Sequence, residues 1–257
     1  VAWDGTGYGG DGTIWGGEFL AVADGHWRRS AHLLPFALPG GEAAMREPWR
    51  SALGALVAVH GDAAFGMDHI PVIAALSPNQ TQVLRTALAR RINAPSTTSA
   101  GRLFDAAAAL LGLCRTSSYE GEAAMAVEFA AARATDAHAL DRIVVVADGA
   151  GPVVLDWRPM LASLVAGLAD GVPAEKLALG FHHALADAIA AVAERIGIAD
   201  VLLTGGCFQN AVLSETAQQR LAAAGFVVHT HHRIPPNDGG LAVGQATFAR
   251  HPLEEIT

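Results

Sequence analysis

The sequence feature that most constrains the fold of this chain is a glycine-rich segment placed between two predicted strands near the N-terminus. Residues 4–12 read DGTGYGGDG, and the strand-like sequence Thr13–Ala23 follows them. The spacing G-x-G-x-x-G occurs twice, but a dinucleotide-binding site needs a helix to begin at such a loop. Because a strand-like sequence follows this loop, we exclude a dinucleotide-binding site. A loop inside a β-hairpin can instead surround phosphate groups with backbone N–H groups. We therefore predict nucleotide contacts at Gly5, Thr6 and Gly7; a purely structural turn is the alternative, although it needs fewer glycines.

A second glycine motif follows the apolar run Val201–Thr204. Gly205 and Gly206 would let a ligand approach the backbone closely, and the helix that begins near Asn210 favours an anion or a polar nucleotide edge. These three residues are predicted to bind nucleotide, although Asn210 could equally serve only as the helix N-cap. Cys207 lies within the motif, but no neighbouring histidine in the sequence supports a nucleophilic role.

A third loop carries a carboxylate between a double proline and a double glycine. The sequence from Pro235 to Gly240 reads PPNDGG, and Asp238 stands where the closing helix would begin. An N-cap role is sufficient for this residue. Asp4 resembles it, because both carboxylates stand beside glycines at the end of an element. The sequence therefore predicts Asp4 and Asp238 as candidate metal ligands on two loops that converge.

Two helix starts supply further candidate residues. Gly101, Arg102 and Asp105 open an alanine-rich helix, where the arginine and the aspartate share one face, and Glu122 opens the next helix. A plain surface ion pair and a carboxylate that interacts with the helix dipole are the structural alternatives. Adjacent histidines such as His182 and His183 point to different sides of a helix and do not form a chelating pair.

The order of elements predicts an α/β protein. Residues 1–40 have strand-like patterns, with Asp24-Gly25 as a hairpin turn. Helices follow to about residue 133, among them helices predicted at 43–59 and 122–133, and a long helix is predicted at 174–196. From Ile143 strands alternate with long helices, which indicates a sheet with crossover connections. We predict a first lobe at 1–140, with the glycine-rich hairpin and a helical insertion, and a second α/β lobe at 141–257. Because the chain opens inside a strand, we expect it to be a piece of a longer polypeptide.

Composition limits the partners and the compartment. The net charge is −8 and lysine and arginine are not clustered, which argues against a nucleic-acid partner. No apolar run reaches the roughly 18 residues that would span a bilayer. The two cysteines cannot build a disulfide framework or a complete zinc site, so a reducing, cytoplasmic setting is expected.

Taken together, five stretches resemble the C-terminal half of the HypF-type carbamoyltransferases of [NiFe]-hydrogenase maturation. They are AWDGTGYGGDGTIWGGEFL, TSAGRLFDAAAALLGL, YEGEAAM, LLTGGCFQN and PPNDGGLAVGQA, in family order. The resemblance implies an actin-like ATPase (ribonuclease H-like) fold, with two lobes around a nucleotide cleft and the first lobe truncated. It also implies ATP or carbamoyl-adenylate as ligand and transfer of a carbamoyl group, derived from carbamoyl phosphate, to the C-terminal cysteine of the partner HypE.

The resemblance further implies a divalent metal, zinc or iron, held in the intact protein by a histidine motif (HHHAH) with Asp4 and Asp238. That motif is not in this sequence, so weak metal binding is expected of the chain by itself. Glu122 stands where the family usually has glutamine. The alternatives are an actin-like small-molecule kinase, which would transfer phosphate to a hydroxyl, an O-carbamoyltransferase, or a non-catalytic domain that docks HypE.

Overall fold

The structure, a computed structural model, describes residues 1–23, 25–147, 149 and 151–249. Asp24 of the predicted hairpin turn lies outside them. The strands are β1 (Ala2–Tyr8), β2 (Ile14–Ala23), β3 (His26–Leu33), β4 (Phe36–Ala37), β5 (Ser96–Thr97), β6 (Val144–Val146), β7 (Val153–Asp156), β8 (Asp200–Leu202) and β9 (Val227–His229). The α-helices are α1 (Pro48–His60), α2 (Pro71–Ala74), α3 (Pro78–Arg90), α4 (Ala100–Leu110), α5 (Glu122–Arg133), α6 (Arg158–Ala169), α7 (Ala174–Ile196), α8 (Ala211–Ala223) and α9 (Leu241–Phe248).

The strands form one large sheet and one small one. The large sheet has the order β4-β5-β2-β3-β7-β6, with β1 also paired to β2. In it β3 and β7 run parallel, so strands from both predicted lobes share one sheet. The small sheet contains β8 and β9, which are parallel. The division into lobes at residue 140 stays a prediction, and the α/β architecture is the one expected.

The first strand joins the two sheets. Thr204, just beyond β8, donates its N–H to the carbonyl of Val1 at 3.0 Å and accepts a bond from the Trp3 N–H at 2.9 Å. This parallel bridge aligns the start of β1 with β8. The buried Trp3 ring stacks on Phe208 with centroids 6.0 Å apart and meets Phe19 edge-on at 5.9 Å. A single indole therefore packs between β2 and the 3-10 turn Gly206–Gln209 that follows β8.

The helices form the apolar layers around the large sheet. All residues of α4 are buried, which explains its alanine-rich sequence. Helix α7 is long and apolar enough to cross a membrane by length and composition, but 67% of that window is buried inside the protein. It packs against α5, α6 and α8. We therefore interpret α7 as a core helix.

Two sequence predictions of elements were wrong in detail. The helix predicted from Ala43 to Val59 is split into a 3-10 turn at Gly41–Met45 and α1, because Pro48 has no N–H to continue a helix and instead begins one. The loop predicted from residue 4 is also shorter, since β1 continues to Tyr8 before the chain turns. The predicted bounds of α5 and α7 match the structure.

Candidate functional site

One large cavity opens at the carboxyl ends of three parallel segments. Its volume is about 990 Å³, at the upper end of the range for small-molecule pockets. The strands β9 and β8 and the bridged start of β1 run in the same direction, and each delivers its next residues to this cavity. Ligands of α/β proteins bind at such carboxyl edges. The polar side chains of the lining belong to Asp4, Thr6, Tyr8, Trp15, Glu18, Thr204, His231, Asn237, Asp238, Gln245 and Thr247.

A bulge in β1 shapes one wall of the cavity. Between the pairs Trp3–Gly17 and Gly7–Trp15, three residues of β1 (4–6) lie opposite the single residue Gly16 of β2. Such bulges occur next to active sites, where they redirect side chains. The Ser99 hydroxyl lies 2.7 Å from the Asp4 carbonyl and 2.8 Å from the Gly5 carbonyl, and it holds the bulge in place. The predicted residues Thr6 and Gly7 line the cavity in this way.

Tight backbone packing explains the glycines below the bulge. A Cβ at Gly101 would lie 2.8 Å from the Gly5 Cα, and a Cβ at Gly206 would lie 2.9 Å from Oδ1 of Asp4. Gly205, which lines the cavity, has a φ of 99° that favours glycine. Gly5, Gly101 and Gly206 therefore support the wall, although they do not line it.

Asp4 and Asp238 are brought to the same cavity, as the sequence predicted. Asp4 accepts a bond from the Gly5 N–H at 2.7 Å, and Asp238 is exposed. Within the part of the chain that the structure describes, no group of three His, Cys, Asp or Glu side chains could hold a metal ion. Two carboxylates are an incomplete donor set, since imidazoles normally complete a zinc or iron site. The residues present therefore do not by themselves form the implied metal centre.

An ion-pair network that the sequence reasoning missed braces the glycine turn. Asp11 accepts bonds from the Thr13 N–H at 3.0 Å and from Nε1 of Trp15 at 2.9 Å. Arg29 bonds Asp11 through NH1 at 2.8 Å and Glu18 through Nε at 2.6 Å. Desolvation alone would raise the pKa of Asp11, but these hydrogen bonds and the Arg29 charge lower it to about 2. The sequence signal that could have revealed this network is Glu18 in the segment WGGE, a carboxylate placed within a glycine-rich strand.

Trp15 is fixed by the same network. The Arg29 guanidinium lies 4.1 Å from the centroid of the indole, and Trp27 meets it edge-on at 6.4 Å. A Cβ at Gly9 would lie 2.3 Å from the indole, so this glycine leaves the space that the ring occupies. One wall of the cavity is thus a rigid aromatic side chain.

Arg102 and Asp105 form a buried ion pair behind β1 and do not line the cavity. NH1 of Arg102 lies 2.9 Å from Oδ2 of Asp105. Burial raises the pKa of Asp105 to about 6, and the positive charge of Arg102 opposes this shift. Glu122 lies apart from both, at the start of α5, where it accepts a bond from the Ser118 N–H. Nucleotide contacts by these residues stay predictions.

Asn210 is held by the protein on both sides of its amide. Oδ1 accepts the Leu213 N–H at 2.9 Å, so the residue caps α8, and Nδ2 lies 2.9 Å from Nε2 of His182. Nδ1 of His182 donates to the Ala178 carbonyl at 2.7 Å, because a carbonyl can only accept. Desolvation lowers the pKa of His182 to about 4, which keeps it neutral. Asn210 does not line the cavity, and its nucleotide contact stays a prediction.

Cys207 is a poor nucleophile in this setting. Burial, with a smaller contribution from the negative charge of Asp4, raises the pKa of its thiol above the usual range. The thiolate is the reactive form of cysteine, so a raised pKa lowers its reactivity.

Comparison with known proteins defines the class first. Residues 1–245 match the family described as "Carbamoyltransferase, Kae1-like Domain, second subdomain". The chain is similar to the crystal structure of full-length HypF in its phosphate- and nucleotide-bound form. The two are 31% identical, with a TM-score of 0.88, over 100% of this chain and 33% of the HypF chain. For HypF of T. kodakarensis the identity is 27% and the TM-score 0.80, over 96% and 33% of the two chains. The actin-like fold class is therefore confirmed.

Curated relatives then identify the family. Carbamoyltransferase HypF of Rhodobacter capsulatus is 42% identical over 99% of this chain, and that of Synechocystis sp. is 36% identical over 95%. A HypF homolog of Cupriavidus necator is 40% identical over 100% of the chain. This chain belongs to the HypF carbamoyltransferase family. It spans 32%, 33% and 66% of the length of these three relatives.

Proposed function

We propose that this chain is a carbamoyl-transfer module that binds ATP or carbamoyl-adenylate and passes the carbamoyl group to the C-terminal cysteine of a HypE-type maturation protein. One observation carries the proposal. The glycine-rich strand, Thr204-Gly205 and the Asp238 loop, which are far apart in sequence, line one cavity. Its volume suits a nucleotide, and the similar full-length HypF structure is in a phosphate- and nucleotide-bound form.

The chemistry of the site supports an acceptor that comes from outside the chain. Cys207 has a raised pKa, and the other cysteine, Cys114, is buried with its pKa also raised by desolvation. Neither thiol is disposed to accept the carbamoyl group, so a partner would supply the nucleophile. Both cysteines are free thiols, which agrees with the proposed cytoplasmic location.

The negative charge of a bound phosphate would also have to be neutralised at this site. Asp4, Glu18 and Asp238 line the cavity, and none of its described lining residues is a lysine or an arginine. A phosphate group there meets carboxylates, so a divalent cation bound in the intact protein would neutralise the repulsion. Its remaining ligands would have to come from outside the described residues.

The proposal is tested by carbamoyl transfer and by nucleotide binding. The longest polypeptide that the gene encodes is incubated with ATP, carbamoyl phosphate and HypE, and intact mass of HypE is recorded. We expect one added carbamoyl group, located on the C-terminal cysteine. Transfer of phosphate to a small hydroxyl substrate, with HypE unmodified, would contradict the proposal and favour the kinase.

Thr6→Val provides the matched binding test, because Thr6 is exposed and lines the cavity. Loss of one hydrogen bond, worth about 1 kcal/mol, should weaken ATP binding by roughly fivefold in calorimetry. Thr86→Val, at a half-buried position of α3 that does not line the cavity, is the control and should bind as the wild type does. Equal affinities of all three proteins would remove Thr6 from the nucleotide site.

A further inference from the structure

A histidine and a threonine lie side by side in the wall of the cavity. Thr204 and His231 each stand two residues beyond the end of a parallel strand, β8 and β9 respectively. Nε2 of His231 lies 2.9 Å from Oγ1 of Thr204, and both residues line the cavity. The hydroxyl therefore fixes the orientation of an imidazole at the carboxyl edge where a ligand is expected.

The other titratable groups around His231 have different chemistry. Asp4, Tyr8, Glu18 and Asp238 line the same cavity, and Glu18 is already engaged by Arg29. Behind the wall, Nε2 of His229 lies 2.7 Å from Oδ1 of Asp200 on the neighbouring strand. His232 and Arg233 follow along the chain and are exposed. His231 is the one imidazole among the described lining residues.

Imidazole suits the proton transfer that the proposed reaction requires. A thiol attacks as its thiolate, and an ordinary cysteine is mostly protonated near neutral pH. When Nε2 of His231 donates its proton to Oγ1 of Thr204, Nδ1 keeps a free lone pair that can accept the thiol proton. Histidine is the most frequent general base because it titrates near the working pH.

We infer that His231 is the general base that deprotonates the acceptor thiol; this inference rests on the proposed function. The thiol proton moves to the imidazole while the sulfur forms a bond to the carbamoyl carbon. The bond from that carbon to the adenylate phosphate oxygen breaks, and AMP leaves with the electron pair. The products are the thiocarbamate and AMP, and the imidazolium returns its proton to solvent.

The test compares His231→Gln with wild type and with His232→Gln, an exposed neighbour that does not line the cavity. All are made in the longest polypeptide that the gene encodes. Transfer from carbamoyl-adenylate to HypE is measured in single turnovers from pH 6 to 9.5. At pH 7 we expect His231→Gln to be slower by about 100-fold, which is typical for loss of a general base, with unchanged nucleotide affinity. His232→Gln should match the wild type.

The pH profile separates a base from a structural residue. As the thiol ionises at high pH it no longer needs a base, so the deficit of His231→Gln should shrink to less than tenfold by pH 9.5. A deficit that stays constant across the pH range, or no deficit at all, would overturn the role of His231. Absence of transfer by the wild type would overturn the proposed function instead.

Discussion

At the scale of single residues, two buried polar groups give this protein opposite responses to pH. His182 has a pKa of about 4 in the folded protein, below its ordinary 6.5, so the unfolded chain binds more protons between these values. Its contribution to stability is therefore lost as the pH falls through that window. Asp105 has a pKa of about 6, above its ordinary 3.8, so its effect is opposite, and stability falls as the pH rises from 3.8 to 6.

Replacing His182 isolates its contribution. In His182→Gln the proton-linked loss is absent, so the difference in the free energy of unfolding from wild type should shrink by about 2 to 3 kcal/mol between pH 7 and pH 4. Urea denaturation at several pH values measures it. His69→Gln, at an exposed position, should leave the difference constant. If the free energy of unfolding of His182→Gln changes with pH as that of wild type does, then His182 does not stay neutral in the folded protein.

At the scale of elements, the turn between β1 and β2 depends on one glycine more than on its neighbour. Gly9 lies directly on the Trp15 indole, whereas a Cβ at Gly10 would meet no atom within 4 Å. Both glycines belong to the same motif, and the sequence pattern treats them alike. Only the folded hairpin distinguishes the glycine that admits the indole from the one that faces solvent.

Alanine at each position tests this difference. Gly9→Ala must displace Trp15 from Asp11, and we expect a loss of about 1 to 3 kcal/mol of stability, as overpacking typically causes, together with weaker nucleotide binding. Gly10→Ala should change stability by less than about 0.5 kcal/mol. Thermal unfolding measures the stability of each variant, and tryptophan fluorescence reports the displacement of Trp15. Similar stability losses in the two variants would contradict the contact between Gly9 and the indole.

At the scale of the whole molecule, β1 holds the site together because it pairs with both sheets. Its bulge faces the cavity, and the bridge from Thr204 to Val1 and Trp3 sets the distance to the β8 and β9 ends. Asp4 and Asp238 reach the same cavity through this arrangement. Together they supply two carboxylates, which is too few for a transition-metal centre.

Metal content follows from that donor set. We expect this chain, purified by itself and analysed by mass spectrometry of the metals, to hold zinc or iron well below one equivalent. Addition of a histidine-rich HHHAH segment ahead of Val1 should raise the metal content towards one equivalent, and Asp238→Asn should then lower it by removing a charged ligand. Stoichiometric metal in the chain alone would show that its own residues suffice for the site. No effect of Asp238→Asn would show that Asp238 is not a ligand.

The sequence by itself determined the element types and the positions of the three glycine motifs, because hydrophobic period and helix-start signals are local. It also predicted that Asp4 and Asp238 would meet. Only the tertiary structure decided which motif residues face the cavity. It placed Thr6, Gly7 and Gly205 there and put Gly5, Gly101, Arg102, Asp105 and Asn210 behind the wall. It also added Glu18 and His231 to the cavity. The parallel bridge to Thr204, which aligns β1 with β8, depends on pairing between residues about two hundred positions apart, and no local pattern encodes such pairing.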